Sequence, residues 1–374
     1  MSVRALPLAR ALVARGHAVR MILPPWDYSQ DAGSKAQDAG VEIENIALPA
    51  GVPGWFHIST TQRLVSRALD FHPDVIHCFK PKAYAGLAAW WLWQMKRMGR
   101  VTARLIIDAD DWEGAGGWND RNQYSWAQRK MFAWQERWGL TRNDGVTVAS
   151  KALQSIVWSL GAKPEHVLYL PNGCHESQIA PRPAASGRQP ATILLYTRFF
   201  EFQIERVLEV LRRVGEQIPE AKLVVVGQGF NGEEDRLLAQ AEPLGLRGSI
   251  EYAGWVDPAV LPDYFAQASV AIHPFDDTLI NRTKCSVKLI DLLSAGVPVV
   301  ADAVGQNVEY IRHNETGVLV RSGDVAAMAQ AVIDLLRDRK KADQLGQRAA
   351  RDMIERYSWD RLAVDVERIY GAAT

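Results

Sequence analysis

Short apolar runs alternate with amphipathic stretches along almost the whole chain. Val270-Ala271-Ile272 is apolar and mostly β-branched, as a buried parallel strand should be, and a polar segment over 274–283 follows it. A helical pattern over 287–293, a turn at Gly296 and a second apolar run over 299–301 come next. Since open α/β sheets bind ligands outside the carboxyl ends of their strands, we predict a ligand site in this stretch.

The same alternation covers both halves of the chain. Strands are predicted at 18–23, 41–47, 74–78, 103–108, 145–149, 167–170, 192–196, 222–226, 250–253 and 318–320. Most of the stretches between them have the periodicity of amphipathic helices, and the chain ends in two helices, over 342–355 and 359–370. We therefore predict an α/β fold with two doubly wound, parallel-sheet domains.

The beginning of this pattern departs from the usual order. A helix is predicted over 4–15 and a strand over 18–23, with no strand before the helix. A doubly wound sheet usually has a first strand and a Gly-rich turn that leads into the first helix. We expect that the first strand of the N-terminal domain is missing, either because the true start lies upstream or because the chain is truncated.

A loose stretch divides the chain. Residues 175–190 follow a Pro-Asn-Gly turn and contain three prolines, which break any helix. We predict one domain over 1–180, a second over 181–356, and a C-terminal helix over 357–374 that packs back toward the first domain.

The composition is that of a soluble globular protein, with 48% hydrophobic and 23% charged residues over a length of 374. Basic and acidic residues both number 43, so we expect no nucleic-acid partner. The three cysteines are too few for a disulfide framework or a metal cluster, and they fit a reduced, cytoplasmic setting. Neither a signal peptide nor a membrane-spanning segment is expected.

One segment raises the question of a membrane surface. Residues 88–104 mix Trp and Met with Lys and Arg, and residues 1–172 hold 20 basic and 15 acidic residues. Such a mixture is typical of a helix in a membrane interface, and equally of a helix that packs its aromatic side chains against a sheet. The sequence favours packing against the sheet, with peripheral contact at the inner face of the membrane as the alternative.

Two loops of the first half carry charged residues directly after predicted strands. One contains Lys80 and Lys82, and the other contains Asp110, Asp111 and Trp112. Clustered carboxylates at such an edge serve as a general base, bind sugar hydroxyls or chelate a cation. Metal binding is the weaker hypothesis, because no further ligands follow at helical spacing. Helix capping and Asx turns are the alternative to a functional role.

Candidate ligand-binding residues follow the strands of the second half as well. Arg198 comes directly after a strand, where a guanidinium can clamp a phosphate. Gly227 and Gly229 permit close backbone approach to a ligand, although a lone GxG is more often just a turn. Lys288 and Asp291 lie where a charged small molecule would be held, and a solvated helix end is the alternative.

Several motifs together resemble a known family. They are Pro171-Asn172-Gly173, Arg198, Gly227-Gln228-Gly229, the run from Asp291 to Val300, the run from Glu315 to Val320, and Tyr357-Ser358-Trp359. In combination they resemble the GT-B glycosyltransferases, and specifically glycosyltransferase family 4. The resemblance covers nearly the whole chain and is strongest from about residue 166 onward. It implies two Rossmann-like domains that face each other across a cleft.

The resemblance implies transfer of a sugar from a nucleotide-sugar donor, held by the second domain, to an acceptor over the first, with retention of anomeric configuration. Arg198 would bind the diphosphate, and Asp291 the ribose hydroxyls. The full predicted set is Asp110, Asp111 and Arg198 as catalytic residues; Arg198, Gly227, Gly229, Thr283, Lys284, Ser286, Lys288 and Asp291 for the donor; and Lys80 and Trp112 on the acceptor side. No cofactor and no metal are expected.

Some positions differ from the family pattern. Gln203 stands where a lysine is usual, so we expect Lys288 or Lys284 to replace it. Thr283 stands at the family's first glutamate, which changes the expected recognition of the sugar. Asp110 replaces a histidine, and it could bind a sugar hydroxyl or stabilise positive charge at the anomeric carbon.

The leading hypothesis is a cytoplasmic glycosyltransferase that builds a cell-surface glycan or glycoconjugate, with a glycan, a lipid-linked molecule or a small molecule as acceptor. A GT-B epimerase or phosphorylase is the alternative among enzymes. A non-catalytic or truncated nucleotide-sugar-binding homologue is the alternative from another class, because of Gln203, Thr283 and the first strand that we expect to be missing.

Overall fold

The computed structural model describes residues 3–25, 28–50, 53–174 and 191–371. The predicted domain boundary at 180/181 lies outside these ranges. The chain forms two compact units. The first takes Met1–Asn172, Thr283–Cys285 and Trp359–Thr374, and the second takes Gly173–Arg282 and Ser286–Ser358.

The first unit alternates strands and helices. Its elements are α1 (Ala5–Ala14), β1 (Arg20–Leu23), β2 (Lys35–Asp38), β3 (Val41–Asn45), α2 (Pro53–Leu69), β4 (Val75–Phe79), α3 (Ala83–Arg97), β5 (Arg104–Ala109), α4 (Trp118–Arg121), α5 (Trp126–Thr141), β6 (Gly145–Val148), α6 (Lys151–Ser159) and β7 (Val167–Tyr169). β4, β5, β6 and β7 form a parallel sheet in that order. β1 lies parallel to β3 in a second sheet, where β2 is antiparallel to β3.

The sequence did not predict β2. Its residues, Lys35–Asp38, are almost entirely exposed, so no apolar alternation marks them as a strand. The pair of β2 and β3 is nevertheless the only antiparallel one among the described strands. The parallel α/β architecture that the alternation predicts is otherwise present in both units.

The second unit contains β8 (Thr192–Tyr196), α7 (Ile204–Gln217), β9 (Lys222–Val226), α8 (Glu233–Ala241), β10 (Ile250–Gly254), α9 (Leu261–Gln267), β11 (Val270–His273), α10 (Leu279–Thr283), α11 (Val287–Ser294), β12 (Val299–Asp302), α12 (Asn307–Tyr310), β13 (Val318–Val320), α13 (Val325–Arg337) and α14 (Arg339–Tyr357). The last residue of α10, Thr283, belongs to the first unit. The six strands of the second unit form one parallel sheet in the order β10-β9-β8-β11-β12-β13. This is the strand order of a doubly wound dinucleotide-binding sheet.

Amphipathic helices cover the sheet of the second unit. α7 buries Ile204, Val207, Leu208, Leu211 and Val214, which recur at the three- and four-residue spacing of one helical face. These side chains pack in one cluster with the apolar residues of β8, β9 and α13. The packing fixes the strands, and therefore the positions of the loops at their carboxyl ends.

The last helix, α15 (Trp359–Tyr370), belongs to the first unit. Trp359, Leu362 and Val366 pack with Leu8 and Leu12 of α1 in one buried cluster. Glu367 accepts two hydrogen bonds from the Arg15 guanidinium, each at 2.7 Å. The chain thus returns to the unit in which it began.

Candidate functional site

The strand order of the second unit reverses between β8 and β11, which end at Tyr196 and His273. Loops that leave neighbouring strands in opposite directions open a crevice at such a switch point. Arg198 follows β8 by two residues, and α11 carries Lys288 and Asp291. The geometry of the sheet therefore selects this edge as the candidate ligand site of the unit.

A strained turn presents Arg198. The side chain of Phe199 is buried although its φ is +66°, which is an unusual backbone conformation for a bulky residue. Its N–H donates to Thr197 Oγ1 at 2.8 Å. Arg198 is exposed, lies with its guanidinium 5.7 Å from the Phe230 ring, and forms no ion pair with any residue in the described ranges. Its charge is available to an anion.

Lys288 and Asp291 lie one helical turn apart near the end of β8. Lys288 Nζ is 4.1 Å from the centre of the Tyr196 ring, a cation–π distance. Burial raises the pKa of Asp291 to about 6, against the opposing charge of Lys288. Burial also raises the pKa of Tyr196, with a further increase from Asp291 and a decrease from Arg198. Arg198, Lys288 and Asp291 thus converge on Tyr196.

The fold itself requires a glycine after β9. Gly227 has a φ of +124°, and a Cβ there would collide with the Thr197 carbonyl. Its N–H donates to Gly254 O at 2.7 Å, and the Gly229 N–H donates to Glu234 Oε2 at 3.0 Å. Both N–H groups are therefore used inside the unit, and a role in ligand binding stays a prediction for these two residues.

Ser286 begins the helix that carries Lys288. Its hydroxyl accepts the Leu289 N–H at 3.4 Å and lies 3.2 Å from His273 Nε2. Such an N-cap satisfies a helix donor that would otherwise lack a partner. Gln203, which stands in place of the family's lysine, is exposed at the N-cap of α7 and makes no capping bond with its side chain.

Thr283 and Lys284 group with the first unit, unlike the other predicted donor residues. The Thr283 carbonyl accepts a hydrogen bond from Ser150 Oγ at 2.8 Å. The Asn172 N–H likewise donates to Cys285 Sγ at 3.3 Å. The sequence predicted a loop from 274 to 283, whereas α10 occupies the end of it.

The carboxyl edge of β4 and β5 brings the predicted residues of the first unit together. Lys80 has a φ of +59°, and its Nζ lies 3.5 Å from Asp110 Oδ1 and 3.5 Å from Asp111 Oδ2. Burial raises the pKa of Asp110 to about 6, although Lys80 opposes this effect. Burial would lower the pKa of Lys80, but Asp110, Asp111 and Glu113 more than offset it and raise that pKa.

Glu136 of α5 adds a group that the sequence did not predict. It is 1% exposed, its Oε1 accepts the Glu113 N–H at 2.9 Å, and its Oε2 has no hydrogen-bond partner in the described part of the chain. Burial, with a contribution from Glu113, raises its pKa to about 8. The raised pKa favours the protonated form of Glu136. Lys82 forms an ion pair with Glu113 and donates to the Tyr124 hydroxyl at 3.1 Å.

Asp108, two residues before Asp110, forms a buried ion pair with Arg4. Its carboxylate accepts hydrogen bonds from both Nε and Nη2 of Arg4, and Arg4 Nη1 donates to Asn172 Oδ1 at 3.0 Å. Arg4 and Asp108 are 104 positions apart, so no local pattern could reveal the pair. The pair holds the end of β5, from which Asp110 projects.

Trp112 is folded onto its own loop. Its indole Nε1 donates to the Ala115 carbonyl at 2.9 Å, and a Cβ at Gly114 or Gly117 would collide with Trp112. The two glycines beside Trp112 therefore have a packing role. The predicted acceptor-side role of Trp112 stays a prediction.

Neither a metal-ligand cluster nor a membrane-spanning helix is found among the described residues. No group of three or more His, Cys, Asp and Glu side chains there is arranged to hold a metal ion. No helix there is both long and apolar enough to cross a membrane.

Comparison with known proteins agrees with these features. The family model for glycosyl transferases group 1 matches residues 179–352, and the model for the glycosyl transferase 4-like domain matches residues 1–173. A phosphatidyl-myo-inositol mannosyltransferase from Mycobacterium leprae is 30% identical over 220 residues, which cover 57% of this chain and 55% of that protein. The chain thus matches little more than half the length of that relative.

Solved structures support the fold. The sucrose-phosphate synthase from Thermosynechococcus elongatus has a TM-score of 0.70 at 21% identity, over 97% of this chain and 91% of its own. Anabaena HepE in complex with UDP has a TM-score of 0.65 at 16% identity, and the match covers 90% of this chain and 87% of the HepE chain. The predicted GT-B fold is confirmed by these structural neighbours. The chain belongs to the group 1 glycosyl transferases of GT-B fold, with a glycosyl transferase 4-like domain in its N-terminal half.

Proposed function

We propose that this protein transfers a sugar from a nucleotide-sugar donor to an acceptor with retention of anomeric configuration. The observation that carries the proposal is the convergence of Arg198, Lys288 and Asp291 around Tyr196 at the switch point of the second unit. Two cations match a diphosphate, and the Asp291 carboxylate accepts hydrogen bonds from ribose hydroxyls. The match to the group 1 family model over 179–352 supports the same assignment.

In the proposed reaction, the bond between the anomeric carbon and the diphosphate oxygen breaks, and a bond from the anomeric carbon to the acceptor oxygen forms. The acceptor hydroxyl gives its proton to the departing diphosphate. Negative charge accumulates on the departing diphosphate. Arg198 and Lys288 stabilise this charge, which is why we propose that no bound metal is required. Lys288 takes the role of the lysine that Gln203 replaces.

The acceptor belongs, in this proposal, to the edge of the first unit. Asp110 binds a hydroxyl group or stabilises the positive charge that develops at the anomeric carbon, and Lys80 keeps the acidic loop in place. A relative from Mycobacterium tuberculosis is named a GDP-mannose-dependent phosphatidylinositol monomannoside mannosyltransferase, at 28% identity over 60% of its length. Such names support a glycan or lipid-linked acceptor and a peripheral location at the inner face of the membrane.

The experiment is a panel of UDP-, GDP- and ADP-sugars, with thermal stabilisation and slow donor hydrolysis as the two measurements. We expect the sugars of one nucleotide (UDP, GDP or ADP) to raise the melting temperature of the protein, and one of these nucleotide-sugars to be hydrolysed slowly. Hydrolysis is followed with and without added EDTA, and equal rates are expected. If no nucleotide or nucleotide-sugar stabilises the protein, the donor site is wrongly assigned.

A second candidate is a nucleotide-sugar-binding protein without catalytic activity. It is favoured by Gln203, which cannot neutralise a diphosphate, and by the different grouping of Thr283. Stabilisation by a donor without hydrolysis, and without transfer to any acceptor from a panel of glycans and lipid-linked sugars, would favour this candidate.

A further inference from the structure

The first two turns of α5 stand out from the surface of the first unit. Every residue from Ser125 to Met131 is exposed, and the buried residues of the helix begin at Phe132. Trp126 is 76% exposed, Trp134 46% and Met131 39%. An unpacked helical segment of this length is marginal in water, although the capping box of Ser125 and Gln128 supports its start.

The exposed residues form one stripe. At 3.6 residues per turn, Trp126, Lys130, Trp134 and Arg137 lie within about 80° of each other around the helix axis. The buried residues Phe132, Gln135, Glu136, Gly139 and Leu140 occupy the opposite face. The Trp134 ring lies 6.1 Å from that of Trp138, which extends the aromatic part of the stripe.

The charge of the stripe is of one sign. Lys130 and Arg137 form no ion pair with the described residues. The guanidinium of Arg129, the residue before Lys130, donates to the Tyr124 carbonyl and forms no ion pair there either. The sole acidic residue of α5, Glu136, lies on the buried face. Exposed tryptophans between unpaired cations, without acidic neighbours on the helix, are the composition of helices that lie in a membrane interface.

We propose that the α5 stripe of Trp126, Lys130, Trp134 and Arg137 docks on the surface of an anionic lipid bilayer. The cations complement the negative lipid headgroups, and the indole rings enter the interfacial region. This proposal rests on the proposed function, because it assigns a membrane-contact surface to that enzyme. It also differs from the expectation at 88–104, where Trp91 and Trp93 pack against the core of the first unit.

The position of the stripe bears on the acceptor. The same helix that carries Trp126 and Trp134 outward carries Glu136 inward, where it accepts the Glu113 N–H of the acidic loop. A bilayer against the outer face of α5 lies one helix diameter, about 10 Å, from that loop. A lipid-linked acceptor therefore reaches the loop with its polar head while its tail stays in the membrane.

The test is co-sedimentation of the whole chain with phosphatidylcholine vesicles, with and without phosphatidylglycerol. We expect binding to the anionic vesicles, a decrease as salt is added, and little binding to the neutral ones. The variants W126S/W134S and K130E/R137E should each bind the anionic vesicles at least about tenfold more weakly than the wild type does. Equal binding of the wild type to both vesicle types would overturn the proposal.

Matched controls use exposed residues elsewhere. Trp158 of α6 is 41% exposed, and Lys340 and Arg348 of α14 are exposed cations, so W158S and K340E/R348E should bind as the wild type does. Nucleotide-induced stabilisation, measured on every variant, separates a failed membrane contact from a failed donor site. Wild-type binding by W126S/W134S would contradict the proposal. A dimer in solution that this variant dissociates would assign the stripe to self-association and also contradict it.

Discussion

The two units place charged side chains at equivalent strand edges but balance them differently. At the edge of β4 and β5, Lys80 is surrounded by Asp110, Asp111 and Glu113. At the edge of β8, Arg198 has no ion-pair partner among the described residues, and Lys288 lies against an aromatic ring. Both edges contain a non-glycine residue with positive φ, Lys80 and Phe199.

This difference separates the two proposed tasks. An unpaired guanidinium has its full hydrogen-bonding fork available to a phosphate, whereas a cation already paired to carboxylates gains little from a second anion. The balanced edge suits a neutral, hydroxyl-bearing group, with carboxylates as hydrogen-bond acceptors. In our proposal, the same strand–loop geometry therefore serves a diphosphate in one unit and an acceptor in the other.

The largest expected effect is that of removing Arg198. Two charge-assisted hydrogen bonds of about 2 kcal/mol each would be lost, so Arg198→Ala should weaken nucleoside diphosphate binding by about 1000-fold. Isothermal titration calorimetry measures the affinity. The melting temperature of the free protein should not change, because Arg198 is exposed.

Arg321 offers a matched control for this variant. It is an exposed arginine that directly follows β13 at the far end of the same sheet. Arg321→Ala should bind nucleotides as the wild type does. An Arg198→Ala protein with wild-type affinity would remove the contrast between the two edges.

The next effect concerns turnover at the first edge. Because the pKa of Asp110 is raised to about 6, its carboxylate becomes protonated as the pH falls through that value. We expect kcat to fall below about pH 6, and Asp110→Asn to lower it roughly 100-fold while donor affinity stays unchanged.

Lys80→Met sharpens this second test. Lys80 lowers the pKa of Asp110, so its removal should raise that pKa and move the acidic limb of the pH profile upward. A profile that keeps its limb in both Asp110→Asn and Lys80→Met would assign the titration to another group.

The sequence predicted the architecture better than it predicted the charge balance. Periodicity located β11, α11 and β12, because a buried strand and an amphipathic helix repeat over several residues. It could not show that Glu136 is buried, since a glutamate between two tryptophans on a polar helix looks solvent-exposed. The pairing of Arg4 with Asp108 depends on tertiary packing across 104 positions.

A smaller effect distinguishes the cations of the two edges. Lys288→Ala would remove the one charged hydrogen bond that we propose between Lys288 and the diphosphate, and it should weaken nucleotide binding about tenfold. Lys80→Met should leave nucleotide affinity unchanged, because its charge is already balanced within the first unit. Equal and small effects in calorimetry would mean that Lys288 does not replace the lysine missing at Gln203.

The smallest effect concerns the ribose. Burial raises the pKa of Asp291 to about 6, so the carboxylate that we propose as the acceptor for the ribose hydroxyls becomes protonated as the pH falls below that value. The diphosphate of an intact nucleotide-sugar does not titrate between pH 5 and 8. Affinity for such a ligand should therefore drop about fivefold as the pH falls from 8 to 5. Asp291→Asn should bind with the weaker affinity at every pH, and a 2′,3′-dideoxy analogue should show no pH dependence. A pH-dependent loss that persists in Asp291→Asn would place the titrating group elsewhere, and the second edge would then differ from the first by its cations alone.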